Sequence, residues 1–217
     1  MIEVHQLAAP ESGGTKLSKT DWLDIAVWGR IDKCFQPDAE TKTLLARASA
    51  LARTAKVKTS LVLSGSGLLP HGRSYFKSGA DRVFLYDHPS LVNDSAETDA
   101  ILLAHFIPEF KPAVLLATAD QRSEAAFVLL SERLRLPYVK TGCDFSLQGA
   151  RDVVLSESCA GKELIESIQG HRPQLLLVTK GLFSGEWQGG ELSEELIVCE
   201  IPSKVLESFE AHSGRVI

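Results

Sequence analysis

No two cysteines in this chain stand close enough to grip a metal together. Cys34, Cys143, Cys159 and Cys199 are scattered without a C-x-x-C pair, which leaves no zinc or iron–sulfur signature. The spacing reads as four reduced thiols of a cytoplasmic protein. His5, His71, His88, His105, His171 and His212 never fall into an H-E-x-x-H or H-x-H pattern, so metal-ligand spacing is missing from the histidines as well. Long apolar runs are lacking too. The stretches Ala100–Leu103 and Val128–Leu130 fall far short of the ~18 residues a membrane helix requires, which predicts no membrane insertion. Met1-Ile-Glu-Val-His5 has no basic region ahead of an apolar core, so it is not a secretory signal. The net charge of −5 supplies no broad basic field for nucleic acid or an anionic membrane. G-x-S-x-G, G-x-G-x-x-G and G-x-x-x-x-G-K-[ST] are all missing, which removes support for a hydrolase elbow and for the two common phosphate loops.

What is present is an ordinary globular balance of 44% hydrophobic and 24% charged residues. A length of 217 residues suits one large domain, or one plus an appendage. The most informative stretch is Lys111 to Leu134. Val114-Leu-Leu-Ala117 is too short for an ordinary helix and reads as a fully buried strand. Thr118-Ala-Asp120 turns the chain, and Asp120 is placed to cap a helix. Ala126, Phe127, Leu130 and Leu134 then recur at helical spacing. A strand, a sharp turn and a helix of this kind put the helix N-terminus at the strand's carboxyl end, where ligands sit in open α/β sheets.

The same rhythm runs through the preceding residues. Residues 1–20 are expected to form a surface arm, with Ile2 and Val4 offering an edge strand. Leu23–Trp28, Thr59–Leu63 and Arg82–Tyr86 read as strands. Pro37-Asp38 opens a helix carrying the stripe Leu44, Leu45, Ala48, Leu51 and Ala52. A short helix starts near Pro70 and stops at Gly79. Asp94 and Glu97 have capping-box spacing before a helix lined by Ala96, Ala100, Leu103, Ala104 and Ile107. Alternation of this kind predicts a parallel sheet with helices on both faces. After residue 137 the strand candidates Tyr138-Val139, Val153–Leu155, Leu164-Ile165 and Leu175–Thr179 follow without helices. Turn chemistry at Gln148-Gly149, Ala160-Gly161 and Gln169-Gly170 separates them, which favours antiparallel hairpins. Glu195–Ile201 offers one more edge strand, and Ser203–Ile217 reads as a mobile tail.

Candidate chemistry is sparse. Ser64-Gly-Ser-Gly67 after a strand is either a plain turn or a phosphate-binding loop. Thr118, Asp120, Gln121 and Arg122 form the most interesting polar cluster. A hydroxyl, an amide and a guanidinium at a helix N-terminus suit a phosphate, facing the loop Gly29–Cys34. The competing reading makes Asp120 a cap and pairs Arg122 with a carboxylate. Cys143 beside Asp144 has no visible base and reads as a buried or half-buried thiol. His105 sits on a helix flank. No catalytic residue and no metal ligand is assigned, and an enzyme with its own nucleophile and base has little support.

An ordered set of phrases resembles the N-terminal domain of the electron transfer flavoprotein alpha subunit. The phrases are Ile25-Ala-Val-Trp28 with its following helix Leu44–Ala52, Ser78–Asp87, Lys111–Thr118 with Gln121-Arg122, Thr141–Asp144, Cys159–Lys162, and Gln174–Lys180 with Gly181–Phe183. Trp28 stands where the family usually has an acid, and Lys180 where an arginine is usual. The family's second domain, opening on Ser-Gly-Gly-Arg-Gly and holding most FAD contacts, has no counterpart by Ile217. The resemblance implies a three-layer parallel sheet, Rossmann-like and akin to the adenine nucleotide alpha hydrolase fold, with an antiparallel β extension. It implies an arm at 1–20, the α/β domain at 21–185 and a tail at 186–217. It further implies a scaffold that docks against a beta-type subunit or a separate flavin domain as a heterodimer. FAD would belong to the complete complex and not to this chain alone. The alternative is a stand-alone adenine-nucleotide module, with AMP as its ligand.

Overall fold

A computed structural model of the chain describes residues 3–6, 22–92, 95–148, 152–155 and 168–207. Ten strands are present: β1 Glu3–Gln6, β2 Ile25–Trp28, β3 Thr59–Gly65, β4 Arg82–Asp87, β5 Val114–Ala119, β6 Tyr138–Thr141, β7 Phe145–Gln148, β8 Asp152–Leu155, β9 Gln174–Thr179 and β10 Glu195–Val198. The helices are α1 Ala39–Ala55, α2 Gly72–Tyr75, α3 Ala96–Phe110 and α4 Gln121–Leu134. Eight strands form one sheet in the order β1-β10-β4-β3-β2-β5-β9-β6, and every pairing in it is parallel. Strands β7 and β8 form a separate antiparallel pair. This is the expected three-layer α/β fold with a small antiparallel extension.

The central strands are continuous apolar runs because both sheet faces are covered. All of β2 is buried, as are Leu61–Leu63, Val83–Tyr86, Val114–Ala117 and Leu175–Val178. At the end of β2 successive residues serve opposite layers. The Cβ direction at Gly29 points to Thr41 of α1, whereas the Arg30 side chain reaches Asp99 of α3 and Ser123 of α4. Phe84 of β4 packs against Phe106 and Phe110 of α3, at centroid distances of 5.1 and 4.4 Å. Helix starts follow side-chain capping: Asp38 accepts from Thr41 N, Ser95 from Thr98 N and Asp120 from Ser123 N. Helix α3 therefore begins on Ser95; Asp94 lies outside the described residues.

Several expectations change. Strand β3 runs through Ser64 and Gly65, so the turn begins only at Ser66. Thr118 and Ala119 extend β5. Tyr138–Thr141 and Gln174–Thr179 are not hairpin strands. Both join the main sheet in parallel, with β9 inserted between β5 and β6. Among the described strands only β7 and β8 pair antiparallel, and Leu164-Ile165 lie outside the described residues. Glu195–Val198 is an inner strand, covered on its far side by β1. Cys143 is disulfide-bonded, its partner sulfur lying outside the described residues, whereas Cys34 and Cys199 are free. The expectation of four reduced thiols therefore does not hold, and the cysteines no longer argue for a compartment. No helix among the described residues is long and apolar enough to cross a membrane.

Candidate functional site

The chain leaves β2 toward β3 and β4 on one side and returns through β5 and β9 on the other. The carboxyl edge of the sheet therefore opens between β2 and β5, the position where an open α/β sheet receives a ligand. Gly29 lets α1 close down on this edge. A Cβ there would lie 2.7 Å from Thr41 Cγ2 and 2.8 Å from Leu61 Cδ1. The Arg30 amide donates to Thr41 Oγ1 at 2.8 Å.

Arg30 Nη1 donates to Asp99 Oδ2 at 2.8 Å, and its Nη2 donates to Ser123 Oγ at 3.1 Å. Arg122 reaches the same carboxylate from α4, through Nε to Oδ2 at 2.8 Å and Nη2 to Oδ1 at 2.6 Å. The side chain of Asp99 has 0% exposure. Two guanidiniums thus converge on one enclosed carboxylate, in the fork geometry that arginine and carboxylate favour. Removing either charge type would leave the other without compensation in a poorly solvated site.

A second anion position on this edge is also taken from within. In the loop after β3, Gly67 N donates to Asp87 Oδ1 at 2.6 Å and Leu69 N donates to Asp87 Oδ2 at 2.8 Å. Gly67 closes the Ser64-Gly-Ser-Gly67 stretch, so one of the amides that a phosphate loop would offer there is engaged. The carboxylate at the end of β4 holds it instead.

The four residues singled out by sequence do not meet as one set. Asp120 accepts from Ser123 N at 2.7 Å and caps α4. Gln121 is exposed, and Thr118 is half-buried in the β5 ladder opposite Val178. Of the four, only Arg122 enters the charged cluster. Arg30, Asp99 and Ser123 complete it, and sequence reasoning did not select them. One signal was available. Asp99 lies in register with Leu102, Leu103 and Phe106, a charge on the buried stripe of a helix. Trp28, the departure from the family's usual acid, is 2% exposed, and its Nε1 has no partner among the described residues.

The remaining titratable cluster lies between β4, β10 and α3. Tyr86 Oη meets His105 Nδ1 at 3.3 Å, and Glu109 Oε2 lies 3.8 Å from the same nitrogen. Burial raises the Glu109 carboxyl against the opposing pull of His105. Burial also pushes the adjacent Cys199 thiol up to about 12, which keeps it protonated and non-nucleophilic. No group of three or more metal-ligating side chains occurs among the described residues.

A helix-flanked parallel sheet whose order reverses at β2 defines a layered α/β domain of the nucleotide-binding type. A family model described as the electron transfer flavoprotein domain matches residues 35–201. That is most of the chain, and the chain belongs to this family. No individual curated protein matches it.

Proposed function

We propose that the chain is an alpha-type component of an electron transfer flavoprotein, a scaffold that docks against a beta-type subunit or a separate flavin domain. One observation supports this reading above the others. Asp87 and Asp99, the chain's own carboxylates, stand where a nucleotide's phosphates would be held. The residues at this edge do not fit the diphosphate of FAD. A phosphate could recruit Arg122 only by uncovering Asp99. FAD bound in the complete complex supplies the electron-carrier chemistry; this chain supplies shape and a docking face.

The β7–β8 pair is the preferred docking face. It stands outside the main sheet, and α1 holds it there. Arg47 Nη2 donates to Phe145 O at 2.7 Å, and Phe145 packs on Phe183 at 5.8 Å between centroids. Ser146 and Gln148 are exposed on it beside the half-buried Leu147 and Val154, a mixed polar and apolar face of the kind found at partner interfaces. The test is the visible spectrum of the protein purified alone and again with a beta-type subunit or flavin domain. Flavin absorbance is expected only in the second sample. Stoichiometric flavin in the lone chain would overturn the proposal.

A second reading, an adenine-nucleotide module taking AMP near Thr118, Asp120, Gln121 and Arg122, draws on a different observation. Arg30 and Arg122 converge near the start of α4, and guanidinium groups beside a helix N-terminus suit an anion. It requires the phosphate to compete with Asp99 for the same donors.

A further inference from the structure

The opposite edge of the sheet carries a cavity that neither reading uses. Residues 180–194 run without regular structure from β9 back to β10 across the α1–α2 layer. This strap is pinned at several points. Gly181 N donates to Glu40 Oε2 at 3.1 Å, Arg53 Nη1 to Gly189 O at 3.1 Å, and Ser193 Oγ to Asp81 O at 3.1 Å. Between the pins, the Trp187 indole packs against Gly79. A Cβ at Gly79 would come 2.5 Å from the indole Cδ1, and its φ of +98° also favours glycine.

The strap and the helical segment 72–78 together border a half-open cavity of about 340 Å³. Phe76 and Leu192 supply apolar surface and Trp187 an aromatic wall. Arg73 and Lys77, four residues apart and so on one side of the helical turn, stand at the rim with Glu194. Arg73 and Lys77 are exposed, and neither has an ion-pair partner among the described residues. The cavity thus joins an aromatic, apolar interior to two available cations and a single acid, in a chain whose net charge is −5. The strap that forms one wall is tied by hydrogen bonds to α1 and to Asp81, and small-molecule sites are usually largely formed in advance. It lies at the amino ends of β4 and β10, away from the Arg30–Asp99–Arg122 cluster.

We propose that this cavity binds a small planar aromatic carboxylate, its ring against Trp187 and its carboxylate between Arg73 and Lys77. The test uses 2-naphthoate and its neutral congener 2-naphthalenemethanol on the full chain, followed by the indole N–H resonances of the three tryptophans. Naphthoate is expected to shift the Trp187 resonance and leave those of Trp22 and Trp28 in place. It should bind about tenfold more tightly than the alcohol, the difference one charge-assisted contact typically makes. Arg73→Ala with Lys77→Ala should remove that preference while leaving the alcohol's affinity unchanged. Both positions are exposed, so the fold should survive the change. Equal binding of the two probes, shifts at Trp22 or Trp28 alone, or no shift at millimolar naphthoate would each overturn the proposal.

Discussion

The two edges of the sheet handle charge differently. At the carboxyl edge, Arg30 and Arg122 share the fully enclosed Asp99. At the amino edge the charges are even, two cations against two carboxylates. Arg82 lies between Asp24 at 2.6 Å and Glu195 at 2.9 Å, with Lys58 adding a 3.4 Å contact to Glu195. That second cluster is partly solvated: Arg82 keeps 30% and Glu195 27% side-chain exposure. At the carboxyl edge the guanidiniums are therefore engaged by an enclosed carboxylate of the chain itself. The amino edge is bound by partly exposed charge, and Arg73 and Lys77 beside it have no ion-pair partner among the described residues. The proposed reading, a framework whose ligand position is filled by its own carboxylates, rests on this contrast.

Removing the carboxylate at the closed edge should have the largest effect. Asp99→Asn leaves two guanidiniums facing a neutral amide and should lower unfolding free energy by about 3–5 kcal/mol, the usual result of breaking a buried pair from one side. Urea denaturation measures it. A loss below about 1 kcal/mol, the size of a surface pair, would erase the contrast between the edges. Asp120→Ala tests whether that residue acts as a cap. The expected loss is about 1 kcal/mol, through the bond to Ser123 N.

The amino edge should respond weakly and with a pH signature. Burial alone would raise Glu195, but Arg82 and Lys58 outweigh it and hold the carboxyl below its ordinary 4.5. A depressed carboxyl contributes stability that is present above its ordinary value and lost as pH falls through the folded one. Glu195→Gln should thus cost no more than about 1 kcal/mol at neutral pH, and the gap to wild type should close on acidification. Asp24 works in the opposite sense. Burial raises it despite Arg82, so its ionisation opposes folding as pH rises past the ordinary range. A gap that widens in acid would contradict the assignment of Glu195.

Much of this fold could be read from the chain, for reasons that also mark where reading stopped. Buried parallel strands are apolar runs, and Val114–Ala117 with its capping Asp120 was unambiguous. Helix ends were harder. Helices α1, α3 and α4 stop on Lys56, Lys111 and Arg135, all with φ between 48° and 56°, where glycine would have announced the turn. A cation there interacts favourably with the helix dipole, which offsets part of the backbone cost. The late strands misled because short connections usually mean hairpins, yet β9 enters the sheet between β5 and β6. Hydrophobic pattern records burial and does not record strand order. The charged cluster joins residues 30, 99, 122 and 123, and only tertiary contact brings these together.

The claim that the carboxyl edge is filled by its own carboxylates is tested most directly by calorimetric titration of the purified chain with AMP. The account predicts no binding tighter than millimolar, and no change on Arg122→Ala. Micromolar binding that weakens about tenfold in Arg122→Ala, the loss expected for one charge-assisted contact, would contradict it.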